Sequence, residues 1–171
     1  MISYKTLNKD NPKLNCRLKG LKKFSPKRII LDNNLDTKTN SYIFKTANKT
    51  NTIIFYNKAH KERITLFKKK GIYLIKSNLT KIKYFDLKLV LKKLYKLGIR
   101  NLLVEGGNIL SGSFLKNKLL NQFYLFKSPK ILTKTLPFKD FNHIKYLIHN
   151  YSIKSKISNK LTKDTITQYT N

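Results

Sequence analysis

The chain has 171 residues, with 37 lysines and arginines against 8 aspartates and glutamates, for a formal charge of +29. Hydrophobic residues make up 40% and aromatics 12%, too much apolar surface for a disordered chain and enough for one substantial core. A single cysteine, Cys16, excludes an internal disulfide framework and a cysteine-rich zinc site, and 6 glycines and 4 prolines exclude collagen-like and linker-like chains.

No stretch approaches the ~20 apolar residues of a membrane span, and the opening MISYKTLNK lacks the apolar centre of a signal peptide. A cytoplasmic protein without a membrane partner is the expectation. The charge has two readings. Clustered lysine and arginine bind phosphate backbones by releasing counterions, so a basic RNA-binding module without enzymatic activity is the alternative function. Against it, only four basic residues are arginine, the lysines are spread along the chain, and Asn and Ile are as abundant as 18 each. Lys, Asn and Ile share A- and T-rich codons, so base composition accounts for all three excesses and a nucleic-acid partner is disfavoured.

Arg28 to Asp32 is a short β-branched run ending in a turn at Asn33-Asn34, and reads as a strand. Ser41 to Lys45 reads as a weaker strand and Thr52 to Tyr56 as a buried one. Lys61 to Lys70 carries Ile64 and Phe67 on one helical face and stops at Gly71, and Ile72 to Ile75 is a strand. From Asp86 to Leu97, Leu87, Val90, Leu91, Leu94 and Leu97 fall at helical spacing, with Asp86 to cap the start and Gly98 to end it. Asn101 to Glu105 is expected to be a strand running into Gly106-Gly107. Ile109 to Leu120 is expected to be helical, and Gln122 to Phe126 a strand closed off at Ser128-Pro129. Tyr151 to Lys156 and Asp164 to Tyr169 read as a terminal antiparallel pair. Strands alternating with helices, then strands alone, indicate an α/β fold with a mostly parallel sheet and an antiparallel end. No repeat or linker divides the chain, so residues 1–171 are read as a single domain.

Two segments could carry chemistry. In Val104-Glu105-Gly106-Gly107-Asn108-Ile109-Leu110-Ser111-Gly112-Ser113 a strand ends, glycines turn the chain and a helix starts. Unpaired N–H groups and the positive end of the dipole at such a helix start suit a phosphate. The other reading is an ordinary tight turn, since the spacing is not GxGxxG. Glu105 stands at a strand's carboxyl end, where open α/β sheets present ligand contacts. The second segment runs from Thr6 through Asp10-Asn11-Pro12 to Leu14 and Arg17. Arginine is scarce here, so its retention at 17 hints at bidentate binding of phosphate or carboxylate. His60, His143 and His149 show no metal-ligand spacing, and no metal site is expected.

With the strand Arg28 to Asp32, these segments resemble the reductase domain of the bacterial bifunctional riboflavin-biosynthesis deaminase/reductase. That family carries T-x-x-x-D-D/N-P-x-L-x-x-R, R-[IV]-[VI]-[LI]-D and L-[LV]-V-E-G-G-x-x-L-x-x-[SA]-[FL]-L in this order. The resemblance implies a dihydrofolate-reductase-like fold. It implies NADPH-dependent reduction of 5-amino-6-(5-phosphoribosylamino)uracil to the 5-phosphoribitylamino product, and a homo-oligomer in the complete protein. By position, Leu14, Arg17 and Glu105 would contact the small phosphorylated pyrimidine substrate. Thr6, Asp10, Asn33, Gly107, Asn108, Ile109, Leu110, Ser111, Gly112 and Ser113 would contact the cofactor, Asn33 falling where the family often has serine. No side chain stands out as a catalytic proton donor, so water or a substrate group is expected to serve. The family's H-x-E…P-C-x-x-C deaminase signature does not occur, so no deaminase domain is expected. Family reductase domains begin earlier, with a strand and helix carrying S-L-D-G and G-x-S-x-W-I segments. Met1 starts after both, so the domain is expected to be truncated at its N-terminus, with first strand and helix missing.

Overall fold

The computed structural model describes residues 1–129, 143–157 and 164–170. It forms two compact units, Met1–Gly107 and Asn108–Asn171. Both are α/β.

The first unit is built on four parallel strands in the order β1-β2-β3-β4, namely β1 (Ile2–Ser3), β2 (Arg28–Leu31), β3 (Thr52–Tyr56) and β4 (Tyr73–Lys76). Ile29 pairs with Ile53 and Ile30 with Ile54, and all four are buried. A strand buried on both faces reads as a continuous apolar run, which is why β2 and β3 stood out in the sequence. Four helices belong to this unit: α1 (Tyr4–Asp10), α2 (Tyr42–Lys45), α3 (Lys61–Lys69) and α4 (Leu87–Lys96). The core gathers Leu7 of α1, Ile30, Leu35, Phe44, Ile54 and Phe67, with Phe44 and Phe67 in edge-to-face contact at 5.0 Å.

Local chemistry sets the helix ends. The Asp86 carboxylate accepts from the Lys88 and Leu89 amides at 3.0 and 3.2 Å, capping α4. Gly71 ends the α3 segment with φ of +83° while a Cβ there would lie 3.1 Å from the Lys49 nitrogen, so both conformation and space call for glycine.

Two expectations are corrected. Ser41 to Lys45 is not a strand. The Ser41 hydroxyl caps α2 by accepting from the Phe44 amide at 3.3 Å, and both Ile43 and Phe44 are buried. The stretch Asn101 to Glu105 makes no strand of a described sheet. Among the described residues its backbone ties to Met1 alone, the Glu105 amide donating to the Met1 carbonyl at 3.0 Å and the Met1 nitrogen to the Leu103 carbonyl. The segment that carries Thr6 is helical and follows the short strand β1.

The second unit holds α5 (Asn108–Lys116), β5 (Gln122–Lys127), α6 (Ile144–Asn150), β6 (Ile153–Ile157) and β7 (Thr165–Thr170). The expected antiparallel pair is present as β6 and β7, but β5 joins it, giving a three-stranded sheet ordered β5-β7-β6. Phe123, Leu125 and Tyr169 on one face of this sheet pack with Leu115 of α5 and Leu147 of α6. No helix among the described residues is long and apolar enough to cross a membrane.

Candidate functional site

The carboxyl ends of parallel strands are where open α/β sheets meet ligands, and the first unit organises its loops there with polar side chains. Asp32 follows β2 and is fully buried. Its carboxylate accepts from the Asp36 amide, the Thr37 amide and the Thr37 hydroxyl, all within 2.8 Å. Burial pushes its pKa above the usual carboxylate value, and these hydrogen bonds act in the opposite sense. The loop it shapes presents Asn33, half-buried, whose Nδ2 donates to the Lys83 carbonyl at 3.3 Å.

Asparagines on and after α1 then fasten the amino-terminal segment to this scaffold. Asn8 accepts from the Lys38 amide and donates to the Asp36 carbonyl, each at 2.9 Å. Asn11, left-handed at φ of 45°, accepts from the Tyr42 amide at 2.7 Å. The chain leaving α1 is thereby held along the wall of a cavity of about 690 Å³. Asn11 to Arg17 form one side of it, and Leu102, Leu103 and Glu105 contribute further lining. Three of the cavity's cations, Lys13, Arg17 and Lys27, are exposed, as is its one carboxylate, Glu105. A cavity with surplus positive charge and one carboxylate suits a phosphorylated ligand that also carries N–H or O–H donors.

The expected substrate residues Leu14, Arg17 and Glu105 therefore border one cavity. Leu14 packs against the core with φ of +47°, a conformation a leucine seldom adopts. Three of the four arginines are committed to the fold. Arg28 binds Thr46, Asn51 and Thr52; Arg63 binds the Leu35 and Thr37 carbonyls; Arg100 binds the Tyr95 carbonyl and lies over its ring. Arg17 makes no hydrogen bond or ion pair among the described residues.

Of the expected cofactor residues, Thr6 lies in the first turn of α1, its hydroxyl 3.1 Å from that of Ser3, and Asp10 is exposed at the helix end. A Cβ added at Gly107 would meet the Thr6 hydroxyl at 3.6 Å, an ordinary contact. Gly107 does not take a positive φ, so neither backbone nor neighbours in this unit require glycine there. Asn108, Ile109, Leu110, Ser111, Gly112 and Ser113 belong to the second unit, within α5. Ser113 donates its hydroxyl to the Ile109 carbonyl at 2.9 Å. Gly112 has a packing role within that unit, since a Cβ there would fall 2.2 to 2.5 Å from three atoms of the His143 ring. Gly112→Ala must displace that ring, with an expected cost of about 1–3 kcal/mol. A chemical melt that is unchanged would show that His143 moves aside freely.

Sequence reasoning missed Asn15 and Lys27 as cavity residues. Asn15 stands at an unspecified position of the T-x-x-x-D-D/N-P-x-L-x-x-R pattern, and Lys27 is one lysine among many.

Residues 1–163 match the family described as the RibD C-terminal domain. The chain is 30% identical over 166 residues to the riboflavin biosynthesis protein RibD of Aquifex aeolicus (strain VF5), covering 97% of this chain and 44% of that protein. It is also 30% identical over 143 residues to the 5-amino-6-(5-phosphoribosylamino)uracil reductase of Buchnera aphidicola subsp. Acyrthosiphon pisum (strain APS), covering 77% of this chain and 66% of that one. It thus spans less than half the length of the RibD relative. Among solved structures, Acinetobacter baumannii RibD superposes with a TM-score of 0.67 at 18% identity, over 99% of this chain and 45% of that one. At that identity the likeness speaks for the fold, the dihydrofolate-reductase-like α/β arrangement of the RibD reductases. Motif order, fold and sequence likeness agree: this chain belongs to the RibD C-terminal domain family.

Proposed function

We propose that the chain is a pyrimidine reductase of riboflavin biosynthesis, reducing the ribosyl group of 5-amino-6-(5-phosphoribosylamino)uracil to ribityl with NADPH. The observation that carries this reading is the cavity bordered by Asn11 to Arg17 and Glu105, with the Arg17 guanidinium making no hydrogen bond among the described residues.

The residues present fit a nicotinamide dinucleotide. Gly107 leaves room beside the Thr6 hydroxyl where any other residue would place a side chain, and no described neighbour in its own unit asks for that room. Thr6, Asp10, Asn33 and Gly107 would hold the cofactor from the first unit. The first turn of α5, in the second unit, has the positive end of its helix dipole, which suits a phosphate. When bound, the cofactor supplies the hydride that the sugar C1′ takes up.

The chain's own residues do the positioning. Arg17 meets the sugar phosphate with two parallel N–H donors, as a guanidinium can and an ammonium cannot. Glu105 accepts from substrate N–H or hydroxyl donors and sets the orientation of the acceptor carbon, and Leu14 gives it an apolar backing. Holding the reacting carbon in place converts binding energy into rate without a protein nucleophile. The proton comes from water or a substrate group.

Fluorescence titration with NADPH and with a generic RNA, each at two salt concentrations, tests this reading against a basic nucleic-acid module. Saturable NADPH binding, with RNA binding that collapses at the higher salt, is the expected pattern. NADPH oxidation should then follow addition of substrate. RNA binding without NADPH binding would replace the reductase by a binding module.

A further inference from the structure

One side chain in the cavity wall has hydrogen-bonding capacity that the fold does not use. Asn15 lines the cavity, its Oδ1 is buried without a partner, and its amide makes no hydrogen bond among the described residues. A buried amide oxygen with no donor is costly and infrequent in folded proteins. The oxygen and nitrogen ends of an asparagine amide are nearly equal in size, so a half-turn about its terminal torsion exchanges them without new crowding.

The backbone on either side is fixed. Leu14 is anchored in the core in a left-handed conformation, and the Cys16 amide donates to the Ser25 hydroxyl at 3.1 Å. That hydroxyl in turn donates to the Lys22 carbonyl at 2.6 Å. Strain of this kind persists only where surrounding structure holds it, and it gathers at ligand-binding sites. Asn15 is therefore held at the wall between two pinned neighbours, with one donor group and one acceptor to offer. The charged groups of the cavity suit a phosphate and single N–H or O–H donors. None of them matches a neighbouring N–H and C=O pair, whereas an amide matches that pair at both atoms.

We propose that the Asn15 side chain, turned so that its amide faces the cavity, reads the imide edge of the substrate's pyrimidine, its Oδ1 accepting the ring N3–H and its Nδ2 donating to the adjacent ring carbonyl. This rests on the reductase reading above, because that reading supplies an oxopyrimidine as ligand. It makes Asn15 a specificity residue that rejects bases lacking the N–H and C=O pair.

The test is anaerobic calorimetric titration with three probes: the product 5-amino-6-(5-phosphoribitylamino)uracil, its N3-methyl derivative and ribose 5-phosphate. The unaltered protein should bind the product about 10- to 100-fold more tightly than the N3-methyl compound, the range expected for one good bidentate pair. Asn15→Leu, similar in size and without hydrogen-bonding atoms, should bind both uracils equally and keep the ribose 5-phosphate affinity unchanged. The preference of the unaltered protein is a test that needs no variant to fold. Equal binding of the two uracils by the unaltered protein, or full discrimination retained by Asn15→Leu, would overturn the assignment to Asn15 while leaving the reductase reading in place. Failure of the unaltered protein to bind any of the three probes, or NADPH, would remove both.

Discussion

Arg17→Ala should raise KM for the phosphorylated substrate about 100-fold, with kcat at saturation close to that of the parent, as expected when a contact made equally in ground and transition states is removed. The magnitude is that of a charge-assisted bidentate bond to phosphate. Stability should not change, because the Arg17 side chain is exposed and makes no hydrogen bond among the described residues. Arg17→Lys keeps the charge and loses the fork, so it should recover only part of the affinity. The same substitution should leave NADPH affinity alone, which separates anchoring of the substrate from general loss of positive charge. Steady-state kinetics at two fixed NADPH concentrations would show this, and an unchanged KM would take the phosphate anchor away from Arg17.

What could be read from the sequence follows from how long each signal is. The α4 helix was legible because Leu87, Val90 and Leu94 repeat at helical spacing over ten residues between Asp86 and Gly98. The strands β2 and β3 were legible as β-branched runs because both of their faces are covered. The α2 helix spans only Tyr42–Lys45, too short for a period of 3.6 to appear, so β-branched and aromatic residues suggested a strand until the cap at Ser41 could be seen. The α1 helix hides for a related reason: Leu7 is its only buried residue, and one apolar position makes no pattern. Asn101 to Glu105 has strand-like composition, but strand identity is conferred by a partner, and its described backbone ties go to a single residue, Met1.

The candidate site shows the same division. Scarcity of arginine drew attention to Arg17, yet scarcity alone cannot tell a ligand-binding guanidinium from a structural one. Only coordinates separate Arg17 from Arg28, Arg63 and Arg100, whose forks are filled by the protein's own oxygens. Asn15 was invisible in a chain with 18 asparagines. Asparagines such as Asn8 and Asn11 serve loop anchoring, and an unsatisfied amide becomes recognisable only when its surroundings are known.

The largest loss of stability is expected at Arg28. Its side chain is 6% exposed and its guanidinium joins three elements at the start of the sheet. Nε and Nη2 donate to the Thr52 hydroxyl at 3.1 and 2.9 Å, Nη1 to the Thr46 hydroxyl at 2.7 Å, and Nη2 also to the Asn51 side chain at 2.8 Å and the Thr46 carbonyl at 3.0 Å. Thr46 caps the end of α2 and Thr52 opens β3, so one planar group sets the distance between a helix end and two strands. Burial draws its pKa below the ordinary guanidinium value, partly offset by Tyr42. Arg28→Met preserves the aliphatic stem but leaves several oxygens short of donors, and should cost about 3 kcal/mol or more. Arg28→Lys places one ammonium where a fork was, and should recover less than half of that. Every partner is a neutral oxygen, so the loss should stay the same when ionic strength is raised, unlike that of a surface ion pair. Urea unfolding of both variants at low and high salt measures this directly. A loss below about 1 kcal/mol, the size of an ordinary surface substitution, would mean that water replaces the guanidinium and that the junction of α2, β2 and β3 does not depend on it.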